Sequence, residues 1–211
     1  GSLRKLLFGS STDDNFGHSI ESNSTGSIIV VGIPGANSNK GQVKVYEFSN
    51  NSWSQKGSTI DGTTSDDYFG YSVSINGDGT IIAVSAPQIG TTNTGDGYVK
   101  IYGFVSSNSS WSQLGSNISG ENTLTPGVGA ADYDTCGTKI QLNKTGDYIV
   151  MSCPFNSGGG AWAGHVRVFN YSNSSWSQIG SDIDGSSEYN MTSYFVDINN
   201  SGNSIALGSQ D

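Results

Sequence analysis

Apolar residues in this chain come in short bursts of two kinds. The first is continuous: "IIVVGIP" (28–34), "IIAVSAP" (81–87) and "YIVMSCP" (148–154). Apolar runs of that length predict strands covered on both faces. The second alternates. In "GQVKVYEF" (41–48), Val43 and Val45 fall on one side, Lys44 and Tyr46 on the other; "GYVKIYGF" (97–104) and "GHVRVFNY" (164–171) repeat the pattern. A period of two predicts strands with one drier face. Clusters of Asn, Ser and Gly, such as Asn76-Gly77-Asp78-Gly79, separate the bursts and supply the chemistry of tight hairpin turns. No segment carries a helical period.

The bursts recur in a fixed order. "FGHSIESNSTGSIIVVGIP" (16–34) aligns without gaps on "FGYSVSINGDGTIIAVSAP" (69–87) and on "CGTKIQLNKTGDYIVMSCP" (136–154). A degenerate copy, "TSYFVDINNSGNSIALGSQ", covers 192–210. After each full copy come the alternating run and then a tryptophan segment: "NNSWSQKGSTIDG" (50–62), "NSSWSQLGSNISG" (108–120) and "NSSWSQIGSDIDG" (173–185). Each unit thus holds four strands, A to D. Stacked four-stranded antiparallel units of this size are the blades of a β-propeller, where each blade buries a face on its neighbour. The fold class expected is all-β, with about three and a half blades. Residues 1–15 would be a partial D strand and lead-in, 16–62 blade 1, 69–120 blade 2, 136–185 blade 3, and 192–211 the A and B strands of a partial blade 4. Such a number does not close a ring of the usual four to eight blades. The chain is therefore expected to be part of a longer one, with assembly of several copies as the alternative.

"FG…GIP" in the first unit and "FG…SAP" in the second, each followed by G-x-V-x-V/I-Y, resemble the FG-GAP repeat found in the propeller of integrin α chains. The resemblance spans nearly the whole chain and departs from the family pattern where FG becomes Cys136-Gly137 and Thr192-Ser193, and where the last Pro becomes Gln210. It implies a propeller with an adhesive or recognition role. Many such repeats also carry a DxDxDG calcium loop between strands A and B, but here that position reads "NSTG", "NGDG", "NKTG" and "NNSG". One carboxylate in four copies cannot surround a calcium ion. No cofactor is therefore expected. Acidic residues do gather just before strand A, at Asp13-Asp14, Asp66-Asp67, and Asp132 with Asp134. Solvated acidic turns are the first reading of them and a calcium site the second.

Charge narrows the partners. The net charge is −9, with nine Lys and Arg, which disfavours nucleic acid and anionic membranes, since both need clustered basic residues. No apolar run has the length of a membrane span. His18 and His165 lie in different units without a nucleophile motif beside them. A catalytic imidazole needs a positioned partner, so the chain is expected not to be an enzyme.

Cys136 stands in the Phe69 slot and Cys153 in the Ala86 slot. A hairpin turning about 143–146 would set them opposite each other at disulfide distance. That reading favours an oxidising compartment; the alternative is a pair of buried free thiols. Sequons at Asn50, Asn108 and Asn173 fall in the C–D turns, and those at Asn23, Asn143 and Asn199 in the A–B turns. One face of the propeller would then carry any glycans, although Asn is also a favoured turn residue without modification. The opposite face bears the longest loops, 121–135 and 155–164, both attached to blade 3. Trp162 lies there outside the repeat, near Asp132, Tyr133 and Asp134, and the group reads either as a recognition surface or as a cap on the blade's own core.

The leading expectation is an extracellular or surface propeller serving adhesion or recognition of a protein or glycan through the loops of blade 3. A lectin-type propeller with repeated sugar pockets is one alternative. A building block of an extracellular filament or coat, which self-associates, is another.

Overall fold

The computed structural model describes residues 7–9, 11–89, 95–121, 134–191 and 194–209. It is an all-β chain of blade-like antiparallel sheets. The first blade holds β1 (Ser19–Ser22), β2 (Ile28–Ile33), β3 (Gln42–Ser49), β4 (Ser52–Gln55) and the short β5 (Ile60–Asp61). The second repeats this plan with β6 (Val73–Ile75), β7 (Ile81–Ala86), β8 (Tyr98–Val105), β9 (Ser110–Gln113) and β10 (Ile118–Ser119). The third does so with β11 (Ile140–Leu142), β12 (Tyr148–Cys153), β13 (His165–Ser172), β14 (Ser175–Gln178) and β15 (Ile183–Asp184). A hairpin of β16 (Phe195–Ile198) and β17 (Ile205–Gly208) follows. Of the expected D-strand tail at the start, residues 7–9 and 11–15 form no strand, and residues 1–6 lie outside the described residues.

The continuous apolar runs became β2, β7 and β12, sandwiched as their composition requires. Ile82 and Val84 of β7 pack toward the first blade, with Val30, Val43, Val45 and Phe69. Ala83 packs the other way, into a core with Ile101, Ile140, Ile149 and Met151. A third core joins the third blade to the last hairpin through Val150, Val166, Val196 and Ile198. Burying a side chain of this kind stabilises by about 1.5–3 kcal/mol, so these inter-blade cores hold the chain together.

The F-G pair works between blades. Phe69 is 1% exposed, and its backbone crosses the start of β3 so closely that a Cβ on Gly41 would lie 1.9 Å from the Phe69 carbonyl oxygen. Gly97 and Cys136 repeat that crossing at 2.1 Å. Gly41 and Gly97, which open the first two G-x-V-x-V/I runs, are thus contact points for the next blade.

Strand D differs from the single run expected. Tyr46 pairs with Gln55, but Val43 pairs with Ile60, so the partner strand carries two extra residues at that point. The same step recurs in the other two blades. A glutamine closes each bulge. The Gln55 amide donates to Thr59, that of Gln113 to Asn117 and that of Gln178 to Asp182. The bulge also receives the next blade's tryptophan. Trp111 Nε1–H donates to the Lys56 carbonyl at 3.0 Å, and Trp176 Nε1–H to the Leu114 carbonyl at 3.0 Å. The thirteen-residue repeat is therefore a latch between neighbouring copies: the first and second copies present a carbonyl to the copy that follows, and the second and third send their indole to it.

One helical turn, Ala36–Asn39, went unread in the sequence. Asn37, Ser38 and Asn39 have φ of 54°, 60° and 59°, so the turn is left-handed, a conformation that asparagine tolerates better than most residues.

Candidate functional site

The A–B turns are built around one asparagine each. The Asn143 side-chain oxygen accepts from the backbone N–H groups of Gly146, Asp147 and Tyr148. Asn76 does the same for Gly79, Thr80 and Ile81. Asn23 serves Ser27 and Ile28, and Asn199 serves Asn203 and Ser204. Asn23 and Asn143 are 6% and 2% exposed, and the Asn143 amide donates to Thr145 and Asp147. The sequons at Asn23 and Asn143 are thus turn anchors with their amides buried, which corrects the expectation that they are glycan acceptors alongside the others. Asn199 is exposed, as are Asn50, Asn108 and Asn173 in the C–D turns.

Cys136 and Cys153 are joined in a disulfide with Cα atoms 4.0 Å apart and both side chains buried. The bond expected from the sequence is present, but its register is not the one reasoned. Ile140 pairs with Met151 and Leu142 with Ile149, so the hairpin runs two residues away from the register that would oppose the cysteines directly. A tight turn, in which Thr138 N–H donates to the Thr135 carbonyl, takes up those two residues and brings Cys136 back to Cys153.

The acidic residues before strand A are not all solvated. Asp67 is 2% exposed and accepts from Gln88 at 3.0 Å and from the Tyr98 hydroxyl at 2.8 Å. Burial, reinforced by the Asp67 carboxylate, pushes the Tyr98 hydroxyl well above the ordinary phenol value. Asp134, also 2% exposed, accepts from the fully buried Asn156 amide at 2.9 Å. The reading of Asp134 as an exposed contact residue is therefore corrected: its carboxylate braces the 155–164 loop from beneath. Asp132 and Tyr133 lie outside the described residues.

Above that brace sits an aromatic group. Trp162 packs edge-to-face between Phe155, 5.9 Å away, and Tyr189, 5.8 Å away. The 155–164 loop is stitched to the segment after β15: Tyr189 N–H donates to the Ala161 carbonyl at 2.8 Å and Met191 N–H to the Trp162 carbonyl at 3.1 Å. Trp162, Tyr189 and Met191 all adopt positive φ, at 50°, 60° and 42°. Left-handed backbone at three bulky residues in one place is strain that the surroundings must hold, and such strain gathers at functional sites. Tyr189 is 58% exposed and Trp162 half-buried. Neither of the two sequence readings of Trp162 holds alone: its ring is seated on the blade and also contributes to an open aromatic surface. Tyr189, which sequence reasoning missed, could have been found only by knowing that the two loops meet.

A second cluster was also missed. His165, 1% exposed, has Nδ1 3.6 Å from Asp182 and 3.8 Å from Asp184. Arg167 spans Glu121 at 2.8 Å and Asp182 at 3.1 Å. Glu121, His165 and Asp182 lie close enough together to ligate one ion, but the guanidinium already supplies the cation there. Burial pushes His165 below the ordinary imidazole value against the upward pull of Asp182, so the ring is neutral near pH 7.

With this geometry in view, comparison with known proteins is specific at one place: residues 55–100 match the FG-GAP repeat. The chain carries an FG-GAP repeat. Its other units share that pattern, and the structural neighbours are propeller-like, so the resemblance seen in the sequence stands. No curated protein matches the sequence. Among solved structures, a protein from Bacteroides fragilis provisionally assigned as a 6-phosphogluconolactonase aligns at 16% identity with a TM-score of 0.52, over 84% of this chain and 41% of that one. One from Bacteroides uniformis, similarly assigned, aligns at 13% and 0.57, over 96% and 52%. Hydrazine synthase from Kuenenia stuttgartiensis aligns at 12% and 0.53, over 95% and 44%. The chain thus spans about half the length of each, or less. The expectation that the chain is no enzyme is corrected by these neighbours, because proteins named for an enzymatic activity share its architecture. At such identities the likeness carries the fold and not the reaction.

Proposed function

We propose that this FG-GAP propeller segment is a recognition module that binds carbohydrate at the aromatic surface of blade 3. The observation that carries the reading is the Phe155–Trp162–Tyr189 group, held open by left-handed backbone at Trp162 and Tyr189. Aromatic faces pack against the C–H faces of sugars while flanking polar groups take the hydroxyls. Exposed Glu188 and the backbone of the 155–164 loop supply such groups beside Tyr189. One dominant site is favoured over repeated pockets, because the indoles of Trp111 and Trp176 are already engaged by the neighbouring blade. An extracellular or surface location belongs to the same proposal, supported by the buried disulfide.

The test is a glycan array followed by calorimetry on any glycan it selects. Trp162→Ala and Tyr189→Ala should each weaken binding by about tenfold or more, as anchor residues do. An array without hits, or hits indifferent to both changes, contradicts the proposal.

A further inference from the structure

The inner strands β1, β6, β11 and β16 lie side by side and line a passage. Two cavities open on it. One, of about 440 Å³, is lined by His18, Tyr71, Ser72, Thr138 and Lys139, among others. The second, of about 430 Å³, includes Lys144 and Asp197. Glu21 and Gln141 line both. They divide the passage because they bond across it: Gln141 of the third blade donates to Glu21 of the first at 2.5 Å, while Ile75 N–H of the second donates to the other Glu21 oxygen at 2.7 Å. One carboxylate thus ties three blades together and floors both cavities.

The rim of the first cavity is a single repeat slot, the residue that follows the F-G pair. It holds His18, Tyr71 and Thr138 in the three full units and Tyr194 in the last. His18 and Tyr71 pack against each other with their rings tilted by 47° and centroids 4.7 Å apart. Tyr194 lies close enough to add to the upward shift that burial gives the Tyr71 hydroxyl. The next slot holds Ser19 and Ser72 but Lys139 in the third unit. Ser19 and Ser72 are used between blades, with Ser19 donating to the Gly70 carbonyl and Ser72 accepting from Ile140 N–H. Among the described residues, the Lys139 ammonium has no ion-pair partner. An aromatic rim, an unspent ammonium and a floor of carboxylate and amide make an uneven wall that a purely structural channel does not need.

We propose that this axial cavity is a second binding site, for a small hydroxylated molecule that bears one anionic group, such as a sugar acid or a sugar phosphate. The ring body lies against the tilted His18–Tyr71 pair, the anionic group meets Lys139, and hydroxyls reach Glu21 and Gln141. The volume fits a ligand of that size. An unpaired ammonium selects for the charge, since a charge-assisted hydrogen bond is about twice as strong as a neutral one.

The experiment titrates the full chain with galacturonate, glucose 6-phosphate and glucose, read by amide chemical shifts and calorimetry. At least one anion should bind with a Kd of about 1 mM or tighter, with shifts centred on residues 18–21, 71–73 and 138–141. Glucose should bind at least about tenfold more weakly, and Lys139→Gln should weaken the anion by a similar factor. Preference for galacturonate identifies carboxylate as the head group, and preference for glucose 6-phosphate identifies phosphate. Trp162→Ala should leave this binding unchanged, which separates the site from the one on blade 3. The proposal is overturned if neither anion outbinds glucose, or if Lys139→Gln binds the anion as the wild type does.

Discussion

Replacing Trp111 by phenylalanine keeps a ring in the latch and removes its donor. The indole N–H donates to the Lys56 carbonyl at 3.0 Å, and the ring packs at 5.1 Å against Phe104 and alongside the core shared by the first two blades. A net hydrogen bond is worth about 1 kcal/mol, and a partner left without water costs more. The smaller ring adds roughly 1 kcal/mol of lost burial. Trp111→Phe should therefore cost about 2 kcal/mol, which is roughly 4–8 °C in Tm for a chain of this size. Trp53 provides an internal control. It packs on Phe48 at 5.2 Å, but its indole N–H has no partner among the described residues. Trp53→Phe should accordingly cost only the packing difference, about 1 kcal/mol or less. Urea unfolding of the two variants beside the wild type measures the gap. Equal losses would show that the indole donor contributes nothing, and the latch would reduce to ordinary packing.

Asn143→Ala takes one acceptor away from three backbone N–H groups, so a loss of about 3 kcal/mol is expected in the same assay. Replacing Cys136 and Cys153 by alanine opens a link spanning a sequence separation of 17, for a loss of about 3 kcal/mol. His165 gives a pH dependence with a definite sign. Its folded-state pKa is depressed by burial, with Asp182 and Asp184 pulling it up and Arg167 pushing it down. Glu121 shares this cluster through its ion pair with Arg167. The unfolded chain therefore takes up the proton first, so stability should hold above about pH 6.5 and fall as the pH drops below it. His165→Gln should flatten that limb in thermal melts run from pH 8 to about pH 5. Expression in a secretory eukaryotic host should place glycans on Asn50, Asn108 or Asn173 but not on Asn23 or Asn143, as read by peptide mass mapping after glycosidase treatment.

The architecture was legible because each blade repeats the same physical demand. A short, β-branched apolar run bounded by turn residues reads as a covered strand, and three copies of "IIVVGIP"-like text in one order point to stacked sheets. Positions of exchange between blades were harder to read. The two-residue bulge in strand D falls within "SQKGSTI", where neither alternation nor a Gly-rich turn marks it clearly. The disulfide was read from a two-residue hairpin loop; the actual turn is longer, and a second turn at Thr135–Thr138 offsets the error. Asp67 and Asp134 looked solvated because local sequence does not reveal an amide arriving from the B–C loop. Tyr189, the His165 cluster and the Glu21–Gln141 bond all join distant segments, and no spacing rule within one unit could have located them.

The central claim is that the repeat supplies shape while recognition sits where the repeat is broken. The indole N–H signals of the four tryptophans test it directly, assigned by single Trp→Phe changes and followed as a selected glycan is added. Movement of the Trp162 signal alone, with Trp53, Trp111 and Trp176 still, is the result the account predicts. Movement of the three repeat indoles together would contradict it and would place the sugar in pockets between blades.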